Sequence, residues 1–96
     1  MATVVVSPRA RHNLERLIQT HALPASTVGR FVASIEPLAV FPSIGAPLTG
    51  RWSGYRFILG PWRWMLIVYE YHQDQDLVGI VTVQDARSSG AATSSE

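Results

Sequence analysis

Three patterns of apolar residues follow one another along this chain: a β-branched run, two stretches at helical spacing, and a dense block. The run "TVVVS" at 3–7 predicts a short first strand. In "SPRARHNLERLIQTH", Ser7 can cap a helix and Pro8 suits its first turn, while Ala10, Leu14, Leu17 and Ile18 fall on one stripe. Leu23 and Pro24 break the pattern, and Ser26 or Thr27 can cap a second helix. Its buried face is expected from Val28, Phe31, Val32, Ile35 and Ala39. Pro37 should end or kink that helix, because it lacks an amide donor and restricts Glu36. A short connector makes the pair an antiparallel helical hairpin.

The second half changes period. Residues 41–54, "FPSIGAPLTGRWSG", have the Pro, Gly and Ser content of a loop. Strands are expected over 55–59, 63–71 and 77–83, turned at 60–61 and 72–76; such short connectors imply antiparallel pairing. The apolar density of 64–69 is too great for an exposed edge, so the hairpin 55–71 should lie centrally. The fold class is therefore α+β: an N-terminal strand, an α-helical hairpin, then a three-stranded antiparallel meander, with the helices on one sheet face. From Ser88 the sequence "SSGAATSSE" carries no apolar period, so a domain at 1–87 and a disordered tail at 88–96 are expected.

Composition adds limits. With 96 residues the chain is one domain, and 47% apolar content is ample for a core. It has no cysteine, which excludes disulfides and thiolate metal sites and suits a reducing compartment. Residues 1–6 are too short for a signal-peptide core, and no run approaches the roughly 20 apolar residues of a membrane span. A soluble, cytoplasmic protein with no membrane contact is expected. A net charge of +1 argues against broad, nonspecific nucleic-acid affinity. All eight basic side chains are arginine, which fits either a GC-rich coding bias or a use for flat, bidentate contacts to phosphate or carboxylate.

The order of elements and four pieces of sequence together resemble the RelE/ParE toxins of bacterial type II toxin–antitoxin systems. The pieces are "VVVSPRARHNLERL", "FPSIGAPLTG", "YRFILGPWRW" and "VGIVTVQDAR", and they span about 4–87. The resemblance implies a small toxin held silent by a cognate antitoxin. RelE-like members cut mRNA on the ribosome, and ParE-like members poison DNA gyrase.

Cutting RNA through its own 2′-hydroxyl needs a base, an acid, and cations that stabilise the charged phosphorane. Arginine meets the last need through its planar fork. Arg56, Arg63 and Arg87 match the places where RelE-like toxins carry basic catalytic residues, which makes them the candidate catalytic set. The acid is missing: after Arg87 stands "SSGAATSSE", where RelE-like nucleases often place a tyrosine or histidine. Ile58 and Leu66 stand where a lysine and a tyrosine are common. His12, His21 and His72 read as surface residues, and Asp85 and Glu70 as ion-pair partners for arginine. No metal-ligand spacing, phosphate loop or nucleophile motif occurs, so no cofactor and no metal are implied.

Arg51, Trp52, Tyr55 and Trp62 form the candidate partner-binding set, because Trp, Tyr and Arg dominate binding hot spots and stack on unpaired bases. Three functions stay open on the sequence. The chain is a toxin that binds gyrase or the translation machinery, a ribosome-dependent mRNA endoribonuclease, or an inactive relative that only binds antitoxin. The first is favoured.

Overall fold

The computed structural model describes residues 1–94. It contains the strands β1 (Thr3–Val6), β2 (Ala46–Pro47), β3 (Arg56–Leu59), β4 (Met65–His72) and β5 (Leu77–Asp85). The helices are α1 (Pro8–Thr20) and α2 (Thr27–Ile35), with short 3-10 turns at Glu36–Ala39 and Gly50–Trp52. The five strands form one sheet in the order β1-β5-β4-β3-β2. Both α+β class and central hairpin are as expected, with β4 in the middle of the sheet and Met65, Leu66, Ile67 and Val68 fully buried.

The meander is antiparallel, but β1 pairs with β5 in parallel, so the sheet is mixed. This pairing joins residues more than 70 positions apart, Thr3 to Leu77 and Val6 to Ile80, and no local pattern specifies it. A parallel neighbour needs a long crossover, and the helices supply one. The tiny β2 lies within the segment read as a loop and edges the sheet beside β3.

Two faces of the sheet are filled differently. The larger cluster packs Met65, Ile67, Tyr69, Val78, Ile80 and Val83 against Ala10 and Leu14 of α1 and Phe31 and Ile35 of α2. On the other face Leu48, Leu66 and Val68 pack with Ala91 and Ala92, flanked by Trp52, Tyr55 and Phe57. The stretch 88–94, expected as a disordered tail, is thus placed on the sheet here. The Ala92 N–H donates to Gln84 Oε1 at 2.8 Å. Residues 95–96 of the expected tail lie outside the described residues.

Helix α1 is seated by polar contacts as well as by its apolar stripe. The β4–β5 register passes from Val68↔Thr82 to Tyr69↔Ile80, which leaves Val81 as the extra residue of a β-bulge. Ser7 Oγ accepts the Ala10 N–H at 3.0 Å as the N-cap and donates to the Val81 carbonyl at 3.1 Å. Asn13 Oδ1, one turn further on, accepts the buried Thr82 hydroxyl at 2.6 Å and the Val83 N–H at 3.3 Å. The bulge's disrupted ladder is satisfied by α1.

Helix α2 departs from its expected face. Phe31 and Ile35 are buried, but Val28 and Val32 are 52% and 44% exposed, and Ala39 is half-buried beyond the helix end. The helix is too short for a broad stripe: Phe31 and Ile35 point at the sheet, and the preceding valines fall outside that arc. Of the two cap candidates, Ser26 makes no cap bond; the buried Thr27 hydroxyl donates to the Pro24 carbonyl at 2.7 Å. Pro37 ends the α-helix as expected, and the chain continues as a 3-10 turn.

Candidate functional site

Of the expected arginines, Arg56 lies apart, while Arg63 and Arg87 flank Trp64 at one end of β4. Arg56 opens β3 and faces the helix side of the sheet, opposite Tyr69. Its Nη1 donates to the Gly45 carbonyl at 2.7 Å and to the Ser43 carbonyl at 3.3 Å. The Tyr69 hydroxyl accepts the Gly45 N–H at 2.9 Å from within the core. The loop at 43–45 is therefore clasped from both sides. A Cβ on Gly45 would stand 2.6 Å from the Phe57 carbonyl and 2.7 Å from Tyr69 Oη, so only glycine fits. Burial raises the Tyr69 pKa, and the Gly45 N–H and Arg56 charge offset part of that shift.

Arg87 lies at the other end of β4. Asp85 is the register partner of Met65, whereas Arg56 opposes Tyr69, four residues along the same strand. At roughly 3.3 Å per residue, that sets Arg56 about 13 Å along the strand from the register of Asp85, which Arg87 holds. Arg87 Nε and Nη2 hold the Asp85 carboxylate at 2.9 and 2.8 Å, and the Arg87 guanidinium stands 5.0 Å from the centre of the Trp64 ring. This fork holds Asp85 well below the usual carboxylate range, with a smaller contribution from His21. Arg63, expected as the first residue of a strand, sits exposed in the turn before β4, between Trp62 and Trp64. The strand begins only at Met65 because the turn from Gly60 closes through the Gly60 N–H to the Met65 carbonyl.

Around this turn the structure gathers residues that the sequence left apart. His21, at the C-cap of α1, stacks on Trp64 at 4.5 Å and 16°, and its Nε2 lies 3.1 Å from Asp85 Oδ2. Trp64 meets Trp62 at 6.4 Å, and Arg30 of α2 stacks over Trp62 at 4.7 Å. The result is a ladder of cations and aromatic rings joining α1, α2, the β3–β4 turn and the end of β5. His21 read as a plain surface residue because its partner Asp85 is 64 positions away; its place after a helix end was the one local signal.

The candidate partner-binding set is likewise divided between two surfaces. Trp62 belongs to the helix-side ladder, while Trp52 and Tyr55, in edge-to-face contact at 5.6 Å, pack on the opposite sheet face. Arg51 and Trp52 line a cavity of about 750 Å³ there, floored by Leu48, Ala91 and Ala92. Among the described residues no cluster of His, Asp and Glu could hold a metal ion, and no helix is long and apolar enough to cross a membrane.

With this geometry established, comparison with known proteins adds lineage. No curated protein sequence matches the chain. The fold is similar to the toxin–antitoxin complex RelBE2 of Mycobacterium tuberculosis, with a TM-score of 0.65 at 22% identity over 88% of this chain and 96% of that one. A metal-bound toxin of Helicobacter pylori gives 0.63 at 18% identity, covering 88% of this chain and 94% of that one. A conserved hypothetical protein of the same organism gives 0.59 at 18% identity with the same coverage. The family model for the ParE toxin of the type II toxin–antitoxin system parDE matches residues 4–89, nearly the whole folded chain, and the protein belongs to that family of toxins.

Proposed function

We propose that this ParE-family toxin arrests growth by binding its target, DNA gyrase or the translation machinery, without performing chemistry, and that a cognate antitoxin neutralises it. The observation that carries the binding mode is the commitment of Arg56. Its Nη1 is engaged by the Ser43 and Gly45 carbonyls, about 13 Å along the strand from the register of Asp85, the partner of Arg87. Arg87 in turn is neutralised by Asp85. A phosphorane needs uncommitted cations around one phosphate, and of the three only Arg63 has neither an ion-pair partner nor a hydrogen bond to a backbone carbonyl among the described residues. The antitoxin partner is supported by family membership and by the RelBE2 neighbour, itself a toxin–antitoxin complex. The action belongs in the cytoplasm, where both targets are found.

Expression of the chain alone in bacteria, with and without the neighbouring gene, tests the proposal. The expected result is growth arrest relieved by that gene, with intact messages. Site-specific mRNA cuts that vanish in Arg63→Ala, with a rate loss of a hundredfold or roughly 3 kcal/mol, would establish the endoribonuclease reading instead. Normal growth at high soluble expression would mark an inactive, antitoxin-binding relative.

A further inference from the structure

We propose that residues 88–94 are an autoinhibitory strap: they cover an apolar surface on the open face of the sheet and lift from it as a unit while the domain stays folded. The strap is anchored at its start. Arg87 forks on Asp85, the Ser88 N–H donates to the Asp85 carbonyl at 2.9 Å, and the Ala86 N–H donates to the Trp64 carbonyl at 2.7 Å. Beyond Ser88 the Ala91 and Ser94 N–H groups donate only within the strap, to the Ser88 and Ala91 carbonyls. The Ala92 N–H to Gln84 Oε1 is the one hydrogen bond that ties 89–94 to the rest of the domain among the described residues. The apolar hold is equally thin. Ala91 and Ala92 are the only apolar side chains in "SSGAATS", yet beneath them lie Leu48, Leu66 and Val68, all buried. Cavities of about 750 and 300 Å³ flank the strap, one against the connection at 49–52 and one against α1, so its edges meet little protein. Two methyl groups and one hydrogen bond are small against the entropy of ordering the segment, which makes closure marginal. Such a unit opens locally, far below the cost of global unfolding. Lifting it leaves Leu48, Leu66 and Val68 continuous with Trp52, Tyr55 and Phe57, with Arg51 at the border. The occupant of this face in the resting molecule is the strap itself. A partner that uses the face binds only the open fraction, so the strap lowers its apparent affinity by that fraction.

Amide hydrogen exchange of the full chain, followed residue by residue by NMR, tests the strap without any partner. The Ala92 amide should be protected about ten-fold or more over an unstructured chain, yet exchange at least about a hundred-fold faster than Ile67 at the centre of the sheet. Gln84→Ala, which removes the acceptor, should lower the Ala92 protection by about two- to ten-fold and leave Ile67 unchanged. Ala92→Asp puts a carboxylate into the cluster of Leu48, Leu66 and Val68 and should hold the strap open. Binding of the apolar dye ANS should then rise at least about two-fold with an unchanged circular dichroism spectrum. Gln73→Asp, which adds the same charge at an exposed site in the β4–β5 turn, should leave dye binding as it was. Exchange of Ala92 at the rate of Ile67 would make the segment part of the cooperative core and overturn the proposal. So would an unprotected Ala92, which denies that the strap docks, or dye binding unmoved by Ala92→Asp. Loss of the fold in Ala92→Asp would also overturn it, because a strap that lifts alone cannot unfold the domain. None of these readouts involves the target, so failure here leaves the toxin reading standing.

Discussion

Replacing Tyr69 by phenylalanine removes one oxygen and tests the clasp on the 43–45 loop. Tyr69 is fully buried, and its hydroxyl accepts the Gly45 N–H at 2.9 Å across 24 positions of chain. Without that oxygen the Gly45 amide is left unpaired in the interior, where an orphaned donor costs about 1–3 kcal/mol. The ring itself stays, so the loss is not one of apolar packing. In a domain of this length such a change lowers the thermal midpoint by about 4–8 °C per kcal/mol. Urea titration followed by tryptophan fluorescence should show a lower midpoint with an unchanged m-value. Gly45→Ala should cost at least as much, since its Cβ would meet the Phe57 carbonyl at 2.6 Å and Tyr69 Oη at 2.7 Å. Combining the two should not rescue it: the phenylalanine removes the Oη contact, but the Phe57 carbonyl belongs to the backbone of β3 and cannot swing away. Tyr69→Phe within about 0.5 kcal/mol of the parent, or a double variant restored to it, would refute the clasp.

Three further outcomes are expected. Ser7→Ala should lose about 1–3 kcal/mol, because it removes the N-cap of α1 and leaves the Val81 bulge carbonyl without its hydroxyl donor; Ser7→Asp, which caps but cannot donate when ionised, should recover only part by urea titration. The Asp85 pKa is depressed chiefly by the Arg87 fork, so its contribution is complete above the unfolded carboxylate value near about 4 and is lost as pH falls through the lower folded value. The acid limb of stability against pH should therefore flatten below about pH 4 in Asp85→Asn, and an unchanged limb would show the contact to be inert. Tyr69 ionisation is shifted upward by burial, so stability from its neutral form is full below the ordinary tyrosine value of about 10 and is lost as pH rises through the higher folded value. The Tyr71 hydroxyl, donating to Asp76, is raised too, so ultraviolet titration of the native protein should lag behind the unfolded one, and Tyr69→Phe should remove part of that lag.

The sequence by itself determined the elements whose cause is local. Ser7 and Pro8 start α1, Pro37 stops α2, and the block from Met65 to Val68 demands a strand buried on both faces; each signal acts within a few residues. Tertiary structure decided what depends on partners far along the chain. The parallel pairing of β1 with β5, the bulge at Val81 that α1 satisfies, and the exposure of Val28 and Val32 all follow from how the finished layers meet. The candidate site divides in the same way. Arginine and tryptophan are legible as chemistry in "GRWSGYRFILGPWRW", but alternation along a strand and the sense of a hairpin send neighbours to different surfaces. Arg56 went to the Gly45 carbonyl, Trp52 to the open face, and Trp62 to Arg30. His21 and Asp85 carry no shared local signal, and only the docking of α1 along β5 brings them within 3.1 Å. Side-chain type is a property of the residue, whereas convergence is a property of the packed sheet.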